Sequence, residues 1–306
     1  MRAAFSKALV DLAKADPSVV LLTGDHGYAL FDEFRRACPD QYINAGIAEQ
    51  NMVGMAAGLA RTGFRPIVYG LSAFIPIRVL EQIKLDVAHD HLPVIFIGDG
   101  AGFVYSHLGT SHQATEDIAC SRAIPNLQVF SPADAAEMTL CMNAAYRAHA
   151  SVYLRVGKSD LGAVHLETPA AGAGRLLELQ PGNPNGLAFI ATGSLVRCAF
   201  DVAEASYREA SVWSVPFIKP IDESQIVDIC RNSRAVITFE EHSIHGGLGS
   251  LVAEIASEHA PVRILRIGVK DRFSEHCGTY TYLLKEHGLD RGAIEEQLAA
   301  FLSNRA

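Results

Sequence analysis

Short apolar runs of strand length recur along this chain, each followed by a segment long enough for a helix. VVLLTG (19–24), RPIVYG (65–70), PVIFIGDG (93–100), LQVFSP (127–132) and VYLRVG (152–157) are such runs, and QYINA (41–45) joins them. A strand without a polar face needs cover above and below, which a parallel sheet between helices provides. FDEFRRAC (31–38), AEQNMVGMAAGLARTG (48–63), IRVLEQIKLDVAHD (77–90) and ADAAEMTLCMNAAYRAH (133–149) read as those helices. Periodicity then fails across KSDLGAVHLETPAAGAG (158–174), where Gly, Ala and Pro collect as in a linker. A second series follows: GLAFIATG (186–193), ASVWSV (210–215), RAVITFEE (234–241) and VRILRIG (262–268), closed by the helical RGAIEEQLAAFL (291–302). The expectation is an α/β chain of two parallel-sheet domains, 1–160 and 181–306, joined by a linker over 161–180.

Length and charge narrow the function classes. At 306 residues there is room for two cores of ordinary size, and 49% hydrophobic against 20% charged residues suits extensive buried surface. A formal net charge of −8 gives no basic footprint, so nucleic acid is not an expected partner. The longest apolar stretches, such as LPVIFIG (92–98), are too short to cross a membrane. MRAAFSKALVDLAKADP (1–17) has helical period and acids at Asp11 and Asp16, unlike a secretory or transit peptide. Cys38, Cys120, Cys141, Cys198, Cys230 and Cys277 form no Cys-x-x-Cys pair and read as buried free thiols of a cytoplasmic protein.

GIAEQNMVGMAAGLA (46–60) sets one carboxylate, Glu49, at the front of a run of small and apolar residues. An acid entering a core needs a partner or a route back to water. The residues alone leave two readings. Glu49 is a favourable charge at a helix N-terminus, or it lies near an interface, because Gly54, Ala56, Ala57 and Gly58 suit close packing against another helix.

INAGIAEQNMVGMAAGLA (43–60), SAF (72–74), GTSHQATEDIACSRAIPNLQVFSPADAAE (109–137) and EEHSIHGGLGS (240–250), in this order, resemble the transketolase family of thiamine-diphosphate enzymes. The resemblance runs through nearly the whole chain and implies a pyrimidine-binding domain followed by the family's C-terminal domain. The family's diphosphate-binding domain has no counterpart within these residues. The resemblance therefore implies the smaller subunit of a split transketolase, self-associated and joined to a separate diphosphate-binding subunit in an α2β2 heterotetramer. The Mg2+ ligands are expected on that partner.

In this family the residue matched by Glu49 hydrogen-bonds N1′ of the cofactor's aminopyrimidine, favouring the form that deprotonates thiazolium C2. Phe74 matches the aromatic residue that stacks on that ring; without the motif it reads as a core phenylalanine. Asp25, in LLTGDHGY (21–28), matches an aspartate facing the cofactor and is otherwise a turn or cap residue. His112 matches a histidine that projects into the substrate channel and bonds the donor's oxygens; outside that context it is a solvated loop histidine.

Two places depart from the sugar-using relatives. They carry Gly-Glu-Asp-Gly before Thr-His-Gln, with the aspartate on the substrate's C2 hydroxyl, where this chain has Ser106, His107, Leu108 and Gly109. Leu108 cannot make that contact, so ordinary pentose phosphates are expected to be poor substrates of a site lined by His107 and Leu108. Arg155, in VYLRVGK (152–158), matches an arginine that grips the sugar phosphate, while the histidine assisting it falls on Gly100. By its residue type alone, Arg155 equally suits a structural ion pair.

Three lures carry less. IGDGAGF (97–103) with Asn126 imitates the Gly-Asp-Gly…Asn signature that holds magnesium diphosphate. It falls inside the pyrimidine-domain match, so Asp99 and Asn126 read as coincidence and no metal ligand is expected in this chain. The glycines of HSIHGGLGS (242–250) open a helix without the Gly-x-Gly-x-x-Gly pattern and read as a tight turn. His89, Asp90 and His91 show no further ligand nearby in sequence.

The expected function is transfer of a two-carbon ketol unit between small-molecule substrates through thiamine diphosphate. The alternative keeps the cofactor and takes a 2-oxoacid donor, with decarboxylation and acyl transfer as in 1-deoxyxylulose-phosphate synthase or the β subunits of 2-oxoacid dehydrogenases. A subunit kept only for assembly would need none of Glu49, Phe74 and His112.

Overall fold

The apolar runs of the first series become a parallel sheet. The computed structural model describes residues 1–27 and 29–304. Strands β1 (Val19–Thr23), β2 (Tyr42–Asn44), β3 (Arg65–Leu71), β4 (Ile95–Asp99), β5 (Leu127–Phe130) and β6 (Ser151–Val156) lie in the order β5-β6-β4-β3-β1-β2, all parallel. β1, β4 and β6 are buried at every position, as strands covered on both faces must be. Successive residues serve opposite faces. Leu21 packs with Phe5 and Leu9 of the helix Arg2–Ala15, and Leu22 with Met52, Val53 and Ala56 of the helix Glu49–Arg61.

The second series adds β7 (Leu177–Gln180), β8 (Gly186–Ala191), β9 (Ser211–Ser214), β10 (Phe217–Lys219), β11 (Ser233–Ser243) and β12 (Arg263–Val269). Five of them form a sheet in the order β12-β11-β8-β9-β7, parallel except for the edge strand β7. Two strands depart from expectation. β7 lies inside the stretch 161–180, and β10 leaves its own series to pair antiparallel with β5 at the edge of the first sheet. Phe217 sets its ring edge-to-face on Phe130 at 4.9 Å, which gives that excursion an aromatic anchor. Both strands are short, so neither carries a readable alternation.

The segment between β6 and β7 holds no strand or helix but is tied down. Asp134 Oδ2 accepts from the amides of Val164 and His165 at 2.9 Å each. Residues 77–90, expected as one helix, form a 3-10 turn (Ile77–Val79), one α turn (Leu80–Gln82) and a π-helical stretch (Ile83–Ala88). Val79, Ile83, Val87 and Ala88 are buried, the first three at a spacing of four. Within the π-helical stretch Ile83 and Val87 stand about one wide turn apart and so share a face. All six cysteines are free: Cys38, Cys141 and Cys230 are buried, whereas Cys277, expected inside, is exposed. Among the described residues no helix is long and apolar enough to cross a membrane.

Candidate active site

Glu49 is the first residue of the helix Glu49–Arg61, and its residue is only 5% exposed. Ala48 provides no side-chain cap, so the carboxylate is the negative group at that helix end. The partner demanded by burial is Arg78, whose Nη1 donates to Glu49 Oε2 at 3.0 Å. Arg78 reaches it from the turn beyond β3, passing over Phe74 with its guanidinium carbon 3.9 Å from the ring centre. On Phe74 the imidazole of His112 also closes, its centroid 5.3 Å away and its plane tilted by 64°. His112 ends the 3-10 turn Thr110–His112, and its Nδ1 lies 3.0 Å from Ser111 Oγ. Glu49, Phe74 and His112 thus meet from three separate segments, with Arg78 linking the first two.

Asp25 is exposed just past the end of β1. Beside it His26 is half-buried; burial pushes its imidazole below the ordinary value, against the pull of Glu49, Asp99 and Asp25. His26 also lines a cavity of about 250 Å3 with Arg2, Tyr69, Asp99 and Tyr105. Leu108 and its neighbour His107 stand exposed on the 3-10 turn Ser106–Leu108, Leu108 at 55%. Larger cavities of about 430 and 450 Å3, beside Trp213 and Arg208 in the second series, contain none of the motif residues.

Arg155 lies in the interior. Its residue is 2% exposed, and its Nε donates to Asp117 Oδ2 at 2.8 Å. One terminal nitrogen, Nη2, donates to the carbonyls of Ala114 and Glu241 at 3.1 and 2.8 Å. A guanidinium with Nε and Nη2 so committed in the interior makes the buried ion pair that its residue type equally suits.

The lures resolve into packing. Asp99, at the C-terminal end of β4, accepts from Arg2 Nη2 at 2.7 Å, Tyr105 Oη at 2.7 Å and Tyr69 Oη at 2.9 Å. Asn126 precedes β5, at the N-terminal end of the parallel strands opposite to Asp99, where it donates to the Ala88 carbonyl at 3.2 Å. The two cannot share an ion. Gly102, at φ +63°, leaves room for the Glu241 carboxylate, which a side chain there would strike. In the loop before the helix Leu248–His259, Gly247 does the same for Glu240, whose carboxylate accepts from the amides of Leu248 and Gly249 at 2.7 and 2.9 Å. That helix N-terminus is filled by the chain's own acid. Among the described residues no group of three or more His, Cys, Asp or Glu is placed to hold a metal ion.

Sequence reasoning missed Arg78, Arg2 and Tyr105. Arg78 had one available signal: it stands four residues after Phe74, within reach along a tight turn. Arg2 and Tyr105 meet only through the fold, about a hundred positions apart.

Comparison with known proteins gives consistent matches. The family model for the transketolase pyrimidine binding domain matches residues 1–163, and that for the transketolase C-terminal domain matches residues 180–294. The chain is 36% identical to 1-deoxy-D-xylulose-5-phosphate synthase of Neisseria meningitidis serogroup C over 308 aligned positions, 98% of this chain and 47% of that one. The same enzyme of Oleidesulfovibrio alaskensis is 36% identical, with 97% and 48% covered. This chain therefore spans about half the length of these curated relatives. Among solved structures, a split gene transketolase, described as an inactive beta4 tetramer, superposes with a TM-score of 0.90 at 35% identity, covering 100% of this chain and 99% of that chain. A transketolase mutant from Pichia stipitis shares the fold, with a TM-score of 0.83 at 18% identity over 99% of this chain and 45% of that one.

Proposed function

Because the chain belongs to the transketolase family, we propose that it provides the pyrimidine side of a thiamine-diphosphate site in an enzyme that transfers a two-carbon ketol unit. A separate subunit with the diphosphate-binding domain and the Mg2+ ligands would complete that site. In this reading residues 1–160 are the pyrimidine-binding unit and 181–306 the C-terminal one. Six unpaired cysteines suit a reducing, cytoplasmic setting.

One observation carries the proposal: a nearly buried carboxylate, Glu49, and an aromatic ring, Phe74, lie close enough for one nitrogenous cation to touch both. The fit is tested by what lies there already, since the Arg78 guanidinium is such a group. Thiamine diphosphate, when bound, supplies the nucleophilic thiazolium carbon of this chemistry. The chain's residues supply the rest. Glu49 would hold the pyrimidine ring nitrogen and govern its proton, in surroundings dry enough to strengthen a charged hydrogen bond. Phe74 offers the stacking face. His112, beside Phe74, would hold a substrate oxygen or move its proton.

A second reading has its own support. The two curated relatives above are synthases of 1-deoxy-D-xylulose 5-phosphate, which favours a 2-oxoacid donor on the same residues. The split transketolase, alike over its full length, favours the ketol donor.

The test is a calorimetric titration of thiamine diphosphate with Mg2+ into this chain, alone and mixed with a diphosphate-binding partner. Micromolar binding is expected of the mixture only. Equal binding by the chain alone would overturn the shared site.

A further inference from the structure

Between Glu49 and Phe74 the structure places a group of the chain's own. Arg78 lies over the ring of Phe74, its guanidinium carbon 3.9 Å from the ring centre, and donates an N–H to Glu49 Oε2 at 3.0 Å. Face contact with the aromatic ring and an N–H directed into the carboxylate are the two contacts assigned above to the pyrimidine half of the cofactor. Two flat groups cannot share one face of a ring. Nor can a fixed guanidinium and a protonated ring nitrogen take the same carboxylate oxygen without like-charge repulsion.

We infer that Arg78 is an internal occupant of the pyrimidine place, which neutralises Glu49 while the site is unfilled and is displaced when an aminopyrimidine stacks. The inference rests on the roles given to Glu49 and Phe74. Its physical reason is the cost of a carboxylate that is 6% exposed: left alone in the unassembled chain it would lack a counter-charge. Arg78 is equipped to leave. Its side chain is 46% exposed and projects from the 3-10 turn Ile77–Val79, so it can swing into water while Val79 stays in the core. A half-exposed ion pair and one cation–π contact are modest interactions, so displacement should weaken pyrimidine binding by about three- to tenfold.

The probe is the bare aminopyrimidine 4-amino-5-hydroxymethyl-2-methylpyrimidine, which addresses only this chain's half of the site. Its affinity is read by NMR titration against the full chain as wild type, Arg78→Gln, Arg78→Lys, Phe74→Ala and Glu49→Gln. A second readout is the 15N resonance of Arg78 Nε in arginine-labelled protein. Arg78→Gln should bind about three- to tenfold tighter than wild type, with Arg78→Lys between them, because an ammonium pairs with Glu49 but cannot lie flat on Phe74. The wild-type Nε signal should move to its solvent-exposed position as probe is added. Equal or weaker binding by Arg78→Gln, with Phe74→Ala and Glu49→Gln both losing the probe, would overturn the occupant and leave the pyrimidine reading standing. Binding indifferent to Phe74 and Glu49 would overturn that reading as well. Absence of binding in every variant up to the probe's solubility limit would also count against the occupant, since its removal should expose a usable face.

Discussion

Asp117 and Arg155 meet at 2.8 Å where both side chains are sealed from water, at 0% and 2% exposure. Arg155 stands on β6 of the first sheet and also donates to the carbonyl of Glu241 on β11 of the second. Tyr153 Oη donates to the same Asp117 oxygen at 2.6 Å, and His242 approaches the other oxygen to 4.0 Å. The pair therefore fastens the two sheets to each other. Asp117→Ala leaves the guanidinium buried and unpaired, a loss of about 3–5 kcal/mol. Urea unfolding followed by circular dichroism should show the midpoint fall accordingly. A midpoint within error of wild type would mean that water or a rearrangement serves Arg155 equally well.

Glu240, capping the helix Leu248–His259 from inside, yields a pH dependence. Burial pushes its carboxyl from 4.5 up to about 7, against the two amides it accepts from. An acid whose folded value is raised contributes stability that is full below its unfolded value and is lost as pH rises through the folded one. Between pH 4.5 and 7 the wild type should therefore lose ground to Glu240→Gln, which does not titrate. The difference amounts to about 3 kcal/mol across the window. Unfolding free energies of both proteins along that range check it; parallel curves would contradict it.

Leu108 projects to the exterior at 55% exposure on the turn four residues before His112. If it faces substrate in the complete enzyme, an ordinary sugar phosphate brings a C2 hydroxyl that finds no carboxylate. An unmade bond to a polar group costs about 1–3 kcal/mol when the complex is closed to water. Xylulose 5-phosphate with ribose 5-phosphate should thus react poorly, and Leu108→Asp should raise kcat/KM for that pair by about tenfold. A wild type efficient on these sugars and harmed by the substitution would show that Leu108 does not read the hydroxyl.

The strands apolar on both faces were legible because composition sets the burial of their apolar residues: β1 and the apolar stretches of β4 and β6 suit a sheet covered on both sides. β10 was not legible, since three residues carry no period and its pairing with β5 is decided by tertiary contact of Phe217 with Phe130. At the site, Glu49 stood out as an acid in an apolar run, and the structure supplies the counter-charge that such an acid demands. The identity of that counter-charge was hidden, because Arg78 sits in a segment that reads as a helix and folds as three different turns. The surroundings of Arg155 were hidden as well. An arginine at a strand end looks available for phosphate, and only Asp117, 38 positions away, fixes it inside.

Glu49 bears the central claim, and proton exchange at thiazolium C2 tests it most directly. In a complex of this chain with the diphosphate-binding partner proposed above, hydrogen–deuterium exchange at that carbon can be followed by NMR without any substrate. Glu49→Gln keeps size and shape but removes the carboxylate's charge. Exchange should slow by at least about 100-fold, the usual worth of positioned acid–base catalysis, while assembly and unfolding midpoint stay unchanged. An exchange rate equal to that of the wild type would remove Glu49 from the chemistry.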